Sequence, residues 1–446
     1  MHSTFEDKIF ELINLKQEGE YWDFKRQWHE NKTDLLHDII CMANNLSNND
    51  GYIIIGIDEK NGNPWGVSFQ RMYDMSNDSH IFITEQKKNY LPLYEAKLMH
   101  QFDHRWNTFV NGEPKDVTME QKEDTDFTVT PQYYVPYAET VLRTTTLDLI
   151  IVQALREAMD GDEKKLRSLV AEKAASSGDL FATESADGVD WQKVYGSKDL
   201  CAAMFEVVEK LCPKYLMGWR DICRATDART TIATVIPFAG ANHKFLMFRF
   251  GRQSKTTLQS CFLADLDSLV LDFFARQKLG GTDLTYTYIR QFPILPPSAY
   301  HEVAQNFIVP RVMALTYTAT DMAEWAKALW QDSSLKIRLK MLQLNNKENE
   351  GITDEKFTDR EFSENFLPPY IFDDAKRAVL RAELDAYYAR LYGLTRTELQ
   401  YILDPHSVMG QDYPSETFRV LKDNEIAKYG EYRTQRLVLE AWDRME

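Results

Sequence analysis

Three carboxylates and one lysine near the start of the chain have the chemistry of a divalent-metal site: Glu18, Asp23, Lys25 and Asp58. Mg²⁺ and Mn²⁺ prefer oxygen ligands, and in phosphodiester cleavage such an ion stabilises charge on the phosphate and helps to activate water. The lysine could offset the developing negative charge or orient the nucleophile. Because carboxylates are common near strand ends, the spacing alone also fits ordinary surface charges, with Asp58 capping a turn.

Two predicted strands and a helix would position these groups. Alternation in residues 21–25 places two aromatic side chains on one face of a strand and presents an acid and a lysine on the other. A helix follows from Thr33, and residues 52–57 form a buried strand that ends at Asp58. The segment is therefore predicted to be a compact α/β unit whose folding could bring the carboxylates together.

The same segment resembles the Schlafen-type AlbA domain. The resemblance rests on Glu18, on Asp-Phe-Lys at residues 23–25, on Ala-Asn-Asn at 43–45 and on Gly-Tyr-Ile-Ile-Ile-Gly-Ile-Asp at 51–58. It implies a domain at residues 1–67. Some members of that family are metal-dependent nucleases, which implies Glu18, Asp23 and Asp58 as ligands of Mg²⁺ or Mn²⁺. Family nucleases pair two such lobes, which implies a homodimer, whereas other members are suspected regulators.

A basic window interrupts an otherwise acidic chain. The whole sequence has 52 basic and 68 acidic residues, and its net charge of −16 would repel nucleic acid. Residues 213–256 nevertheless hold eight basic side chains against two acidic ones, a net of +6. Our candidates for contacts with DNA are Arg220, Arg224, Arg229, Arg252 and Lys255. The alternative is that some of these arginines brace the fold through Asp221 and Asp227.

Ordered elements are predicted to hold the basic window. The apolar patterns indicate strands at residues 230–237 and 245–250 and an amphipathic helix at 263–277. Residues 147–177 are predicted to be helical, and the charge-dense residues 343–365 are predicted to be an exposed linker.

Most of the chain, from residue 68 to residue 446, resembles the non-catalytic half of large adenine-specific DNA methylases of type II restriction-modification systems. The motifs that carry this resemblance lie at residues 71–80, 91–105, 218–230, 277–297 and 384–433. They imply a DNA target-recognition domain at residues 68–310 and a helical C-terminal region at 311–446. Leu367 stands where the methylases have the Asn of Asn-Pro-Pro-Tyr, and no Gly-rich cofactor loop follows a strand. We therefore expect no S-adenosylmethionine site and no methylation by this chain alone.

The patterns along the chain predict an α+β multidomain protein with a small α/β N-terminal domain, a mixed α+β middle region and a mostly helical C-terminal region. The resemblance to methylases implies that the mixed α+β region is the target-recognition region. The 446 residues are 44% apolar and 27% charged, which excludes disordered and fibrous classes. The apolar runs fall short of the ~20 residues that cross a bilayer, so we expect a cytoplasmic protein with no membrane partner. His100, Asp103 and His104 match no standard zinc spacing, and we expect them to pack and hydrogen-bond within the fold.

Together the two resemblances and the basic window imply a sequence-selective DNA-binding protein of a restriction-modification or phage-defence system, with a metal-dependent nuclease in its N-terminal domain. Double-stranded DNA is the expected partner, together with a separate methylase or defence subunit. The rival hypothesis is a non-catalytic specificity subunit or regulator that binds DNA and works with a separate methylase or nuclease. A third hypothesis is a decayed gene fusion that neither binds nor cuts. Metal-dependent turnover separates the first hypothesis from the other two.

Overall fold

The computed structural model describes residues 64–145, 149–175, 191–251, 254–345, 367–413 and 416–445. Four predicted catalytic or metal-binding residues lie outside these ranges: Glu18, Asp23, Lys25 and Asp58. Arg252 and most of the predicted linker at 343–365 also lie outside them. The expectations for these residues therefore stay predictions.

The described strands form three small sheets. The strands are β1 (Ser68–Gln70), β2 (Tyr90–Tyr94), β3 (Asn107–Val110), β4 (Glu113–Asp116), β5 (Tyr134–Pro136), β6 (Tyr215–Arg220), β7 (Ala233–Pro237), β8 (Gly240–Ala241) and β9 (Phe245–Arg249). The largest sheet is antiparallel and has the order β1-β9-β6-β7. In β6, a Cβ at Gly218 would lie 2.3 Å from the carbonyl oxygen of Leu246, so only glycine fits at this close strand contact.

The other two sheets involve the part of the chain before residue 137. Strand β2 pairs antiparallel with β5 and parallel with the short β8, which gives the order β5-β2-β8. Strands β3 and β4 form a hairpin closed by Asn111 and Gly112, whose φ angles of 53° and 80° are both positive. A two-residue type I′ turn requires positive φ at both positions, which explains the Asn-Gly pair.

Helices account for most of the remaining described residues. Those between β4 and β6 are α1 (Met119–Glu123), α2 (Tyr137–Thr144), α3 (Leu149–Met159), α4 (Lys164–Ala175), α5 (Trp191–Tyr195) and α6 (Leu200–Leu211). The large sheet ends with β9. Those that follow it are α7 (Thr256–Leu266), α8 (Leu269–Lys278), α9 (Tyr286–Ile289), α10 (Glu302–Thr316), α11 (Ala323–Asp332) and α12 (Leu335–Asn345). The last group is α13 (Asp374–Leu391), α14 (Arg396–Leu403), α15 (His406–Met409), α16 (Arg419–Tyr429) and α17 (Arg433–Arg444). None of the described helices has the length and apolarity needed to span a bilayer.

One large hydrophobic core joins the β1-β9-β6-β7 sheet to the later helices. Trp219 of β6, Trp325 of α11 and Tyr388 of α13 are all buried in it. Two smaller cores lie beneath α3 to α6 and around β2 with β5. The mixed α+β class and the mostly helical C-terminal region are confirmed for the described residues. The large core continues across residue 310, where the resemblance to methylases places a domain boundary, and that boundary stays a prediction.

The strands predicted at residues 21–25 and 52–57 and the helix predicted from Thr33 lie outside the described residues. Among the described residues, most of the predicted elements occur, with one clear correction. The strands expected at residues 230–237 and 245–250 are β7 and β9, and helices α3 and α4 lie within the helical segment expected at 147–177. The single helix predicted at 263–277 is wrong, because α7 ends at Leu266 and α8 begins at Leu269. The side chain of Ser268 accepts a hydrogen bond from the Leu271 amide and so starts a new helix inside the apolar pattern.

Candidate nucleic-acid interface

Two of the residues predicted to contact DNA brace the fold. Arg220, at the end of β6, donates from Nε to the carbonyl oxygen of Ala96 at 3.1 Å and from Nη2 to that of Met99. Arg229 forms an ion pair with Asp272, with 2.8 Å between Nε and Oδ2, and only 10% of its side chain is exposed. Burial alone would lower the pKa of Arg229, but Asp272 raises it above the ordinary value. Both arginines therefore have the bracing role considered as the alternative, with different partners from those expected.

Another cation of the basic window also forms ion pairs within the protein. Lys244 pairs with Asp221 at 2.9 Å and with Asp283 at 2.8 Å. The exposed cations of the described part of the window are Lys214, Arg224 and Lys255. The net charge counted along residues 213–256 is therefore larger than the charge that this segment presents to solvent.

A tight turn at residues 100–103 lies beside Arg220. The backbone amide of His100 donates to the carbonyl of Asp103 at 2.8 Å, and the amide of Asp103 donates back at 3.0 Å. Phe102 has a φ of 56°, in the left-handed region that a bulky residue rarely adopts. Such a conformation persists only where the surrounding structure enforces it, and it often marks a functional segment.

Long-range hydrogen bonds enforce this turn. The Gln101 side chain donates from Nε2 to the carbonyl oxygens of Thr231 at 2.8 Å and Asp267 at 3.2 Å. The Phe102 carbonyl accepts from Arg377 Nη2 at 3.3 Å. These contacts attach the turn to the strand region before β7, to the α7–α8 junction and to α13, so His100 is held in a fixed place.

The turn presents an aromatic surface. His100 packs on Trp106 with 4.3 Å between ring centroids and 32° between ring planes, and Trp106 is 40% exposed. Lys122 lies 4.8 Å from the centroid of the Trp106 ring and pairs with Asp103 at 2.5 Å. Burial alone would raise the pKa of Asp103, but Lys122 and Arg377 hold it well below its usual range. Asp103 is thus ionised, and Lys122 compensates its charge.

Three guanidinium groups act on His100. Burial lowers the pKa of His100 well below its usual value, and the positive charges of Arg220, Arg381 and Arg229 lower it further. The imidazole is therefore neutral at neutral pH. Protein surrounds His100, although part of its surface stays accessible. We call His100, Trp106, Arg220, Arg229 and Arg381 the His100 cluster.

Helix α13 places Arg381 in the His100 cluster. Asp373 begins this helix by accepting hydrogen bonds from the amides of Ala375 and Lys376. In an α-helix, positions four residues apart share a face, so Arg377 and Arg381 lie on the same stripe. Within the described part of the chain, no hydrogen-bond acceptor or carboxylate is paired directly with the Arg381 guanidinium. Burial lowers the pKa of Arg381, and repulsion from Arg229 lowers it further, while the charges of nearby acids offset part of this decrease. A bound anion would act in the same direction as these acids.

Three acids act electrostatically on Arg381, namely Asp374, Asp385 and Glu425, and all of them have other partners. Asp374 accepts a hydrogen bond from the Tyr429 hydroxyl at 3.4 Å and lies 4.0 Å from Arg433 Nη1. Asp385 accepts a hydrogen bond from the Leu269 amide at 2.8 Å, and burial raises the pKa of Asp385 to about 6. Glu425 accepts from the backbone amide and the hydroxyl of Thr434 at 2.7 and 2.6 Å. These contacts leave Arg381 as the member of the His100 cluster best placed to receive an external phosphate.

Sequence reasoning did not predict His100, Trp106 or Arg381 as functional residues, although it named Arg220 and Arg229. The expectation that His100, Asp103 and His104 pack and hydrogen-bond is confirmed, since His104 Nε2 lies 2.9 Å from Asp321 Oδ1. The closeness of His100 to the arginines was not expected, however. The only available signal was the motif at residues 91–105, which contains His100 and is followed directly by Trp106. Nothing in the sequence pattern relates Arg381 to that motif.

Residues 18–152 match the Schlafen, AlbA_2 domain family. This supports the AlbA domain predicted from Glu18 and residues 23–25 and 51–58, and the match extends beyond the expected boundary at residue 67 into α3. The family is associated with nucleic acids. His100 and Trp106 lie inside the matched range, whereas the three arginines of the His100 cluster lie outside it. No curated protein matches the chain significantly.

Proposed function

We propose that this chain binds duplex DNA through the His100 cluster and the nearby exposed cations of the basic window. The proposal depends on one observation: His100, inside the AlbA_2 match, lies within electrostatic range of Arg381, a cation for which the described residues supply no direct partner. An arginine and an exposed tryptophan that both act on His100 suit a nucleic acid, because the guanidinium can bind phosphate and the indole can stack on a sugar or base.

The exposed cations of the basic window also support this proposal, because they could bind phosphate groups. Arg224 and Lys255 flank the segment that contains Arg229, and neither side chain has a salt-bridge partner among the described residues. Contacts from such residues to phosphates would set position and orientation without reading sequence. Arg220 and Arg229 would contribute charge to the interface while keeping their hydrogen bonds to the protein.

Cleavage is the second part of the proposal and belongs to the N-terminal domain. Glu18, Asp23 and Asp58 would hold Mg²⁺ or Mn²⁺, and Lys25 would orient the nucleophile or offset charge, as in the nucleases of the family that this segment resembles. The ion would polarise the scissile phosphate and help to generate hydroxide from water. A homodimer would supply the second lobe.

Sequence selection is the third part. The resemblance of residues 68–446 to the recognition half of type II methylases supports a role in a restriction-modification or phage-defence system, with a target-recognition domain at 68–310 and a C-terminal region at 311–446. The chain would then work beside a separate methylase. The non-catalytic specificity subunit or regulator is the alternative, and it predicts the same binding without metal-dependent cleavage.

Binding is tested by fluorescence anisotropy with a labelled duplex, comparing the wild type with Arg381→Ala. Loss of one charge-assisted contact should weaken binding about tenfold, which corresponds to about 1.4 kcal/mol. Arg444→Ala is the matched control, because this exposed arginine lies at the far end of α17. Equal affinity for the wild type and Arg381→Ala would remove the His100 cluster from the interface.

Cleavage is tested by incubating DNA with Mg²⁺ or Mn²⁺ and the wild type, Asp23→Asn or Asp58→Asn. The proposal expects loss of full-length DNA with the wild type alone, and only when metal is present. If all three proteins cut equally, these carboxylates have no part in the reaction. If none cuts but all bind, the alternative of a specificity subunit or regulator is supported. A selection of bound duplexes from a random pool would show whether one motif is enriched.

A further inference from the structure

A second group of metal-binding side chains lies in the C-terminal helices, far along the chain from the predicted nuclease site. Asp404 follows α14, His406 begins α15, and Glu416 precedes α16. One ligand atom from each of these residues lies within 4.8 Å of the other two. Their side chains are 11%, 17% and 23% exposed, so the group is shielded but can be reached from solvent.

The orientation of His406 leaves one ring nitrogen available as a ligand. Its Nε2 lies 2.7 Å from the carbonyl oxygen of Tyr413, and because a carbonyl can only accept, Nε2 must carry the hydrogen. The neutral ring then has its lone pair on Nδ1, which lies 3.4 Å from Glu416 Oε1. Two acceptors that face each other need a proton or a cation between them. A backbone carbonyl that fixes the other nitrogen is also the usual support of a metal-ligating histidine.

Asp404 provides an independent indication that a ligand is missing. The residue is 9% exposed, and within the described structure its Oδ1 is buried without a hydrogen-bond partner. Leaving a buried carboxylate oxygen unpaired is costly, and native structures usually satisfy such atoms. A bound cation would satisfy it.

Lys422 already supplies one positive charge at this place. Its Nζ lies 3.1 Å from Asp404 Oδ2 and 3.0 Å from Glu416 Oε1. The ammonium group thus bridges the two carboxylates, but it pairs with neither Asp404 Oδ1 nor His406 Nδ1. A dication could satisfy all three residues if the lysine side chain turned outward, which its partial exposure allows.

We propose that Asp404, His406 and Glu416 form a binding site for a divalent transition metal of the zinc type, and that Lys422 competes with the metal for it. One imidazole with two carboxylates suits Zn²⁺, whereas Mg²⁺ favours oxygen ligands alone. Two ligand atoms on Zn²⁺ at ~2.1 Å can be at most ~4.2 Å apart, so a pair near the 4.8 Å limit would move inward slightly on binding. The ion would fasten the loops that follow α14 and precede α16, which is a structural role.

The first test is titration of the full-length protein with Zn²⁺ by isothermal calorimetry, using the wild type and His406→Ala. His406→Ala should bind one equivalent fewer than the wild type. His301→Ala is the matched control, because this exposed histidine precedes α10 and lies outside the group. It should retain the full stoichiometry, and the comparison is unaffected by ions bound near Asp23 or Asp58. Equal stoichiometry for His406→Ala and the wild type would overturn the proposal.

The second test concerns competition by Lys422. Lys422→Met removes the resident cation while keeping an apolar side chain of similar length, and it should tighten Zn²⁺ binding about tenfold, or about 1.4 kcal/mol. Lys422→Arg keeps the charge and should bind as the wild type does. Weaker binding by Lys422→Met would show that the lysine supports the site, which contradicts competition. Circular dichroism verifies that each variant folds. If Lys422→Met does not fold, the comparison of His406→Ala with His301→Ala still tests the metal site.

Discussion

The guanidinium groups of several arginines donate hydrogen bonds to backbone carbonyl oxygens. Arg105 is fully buried, and its guanidinium donates to the carbonyls of Lys122 and Thr318 at 2.9 Å each, of Asp124 at 2.8 Å and of Phe127 at 3.1 Å. One side chain therefore satisfies four backbone acceptors, two of them in buried hydrogen bonds, and joins the end of α1 to the segment after α10. Its charge stabilises the fold and is not available to an external ligand.

Replacing Arg105 should be strongly destabilising. Arg105→Met keeps much of the apolar volume but removes the donor of four carbonyl groups, two of them in buried hydrogen bonds. We expect a loss of about 3–5 kcal/mol in the free energy of unfolding. Urea denaturation at neutral pH measures this. Arg444→Met, at an exposed position, should stay within about 0.5 kcal/mol of the wild type. Similar stability of the two variants would show that water replaces the guanidinium at little cost.

Asp265 makes the stability depend on pH near neutrality. Its carboxylate accepts from the hydroxyls of Tyr392 at 2.7 Å and Tyr300 at 2.9 Å and from the Leu295 amide at 2.9 Å. Burial nevertheless raises its pKa to about 7, because the hydrogen bonds offset only part of the desolvation. In the unfolded chain the pKa is about 3.9, so the folded state holds this proton more tightly. The resulting stability is present at acid pH and is lost as the pH rises through 7.

The wild type should therefore be more stable at pH 6 than at pH 8, with Asp265 contributing about 1 kcal/mol of the difference. Asp385, whose pKa burial raises to about 6, acts in the same direction over a lower range. In Asp265→Asn, which cannot ionise, the difference should shrink. Asp160→Asn, at an exposed site, should keep the wild-type dependence. Urea unfolding at the two pH values decides, and an unchanged difference in Asp265→Asn would contradict the assignment.

At the scale of elements, the junction of α7 and α8 organises the interior next to the His100 cluster. Asp267, between the two helices, accepts from the Ala233 amide of β7 at 2.9 Å, and its backbone carbonyl accepts from Gln101 and Arg229. A continuous helix could not present Asp267 in this way. The break therefore links the large sheet, the turn at residues 100–103 and the arginines.

Removing the cap that starts α8 should weaken this junction. Ser268→Ala deletes the acceptor of the Leu271 amide, whose hydrogen bond is 3.2 Å long, and should cost about 1 kcal/mol in the free energy of unfolding. Ser298→Ala is a matched control, because Ser298 is exposed. It should have little effect. If Ser268→Ala is as stable as the control, the helix start does not depend on this side chain.

The elements differ in how well the sequence predicts them, for physical reasons. Strands β7 and β9 follow from short apolar runs, and these runs are buried in the observed sheet. The break at Ser268 was missed because the apolar pattern continues through it. The helix is interrupted there by the hydrogen bonds that the Ser268 hydroxyl and the Asp267 carboxylate accept from backbone amides. Arg381 could not be predicted as a neighbour of His100, because their approach depends on packing between residues far apart in the chain.

At the scale of the whole molecule, local attraction must overcome a net charge of −16. An acidic protein repels a distant duplex, whereas Arg381 and the exposed cations attract phosphates at short range. This contrast also explains why the charge of a sequence window was an unreliable guide. Arg229 and Lys244 contribute to the net charge counted for residues 213–256, but both form ion pairs with carboxylates of the protein itself.

The affinity for a duplex should therefore fall steeply as the salt concentration rises. Variants of the His100 cluster should distinguish the contribution of charge to this affinity from that of stacking. Each phosphate neutralised contributes about −0.9 to the slope of log affinity against log salt. Arg381→Ala should reduce the magnitude of that slope by about 1, whereas Trp106→Ala should weaken binding with the slope unchanged, because stacking releases few counterions. Anisotropy titrations at several salt concentrations measure both quantities, with Arg444→Ala as the charge control. If the wild type binds no duplex even at low salt, the cluster serves the fold alone, whatever the N-terminal domain hydrolyses.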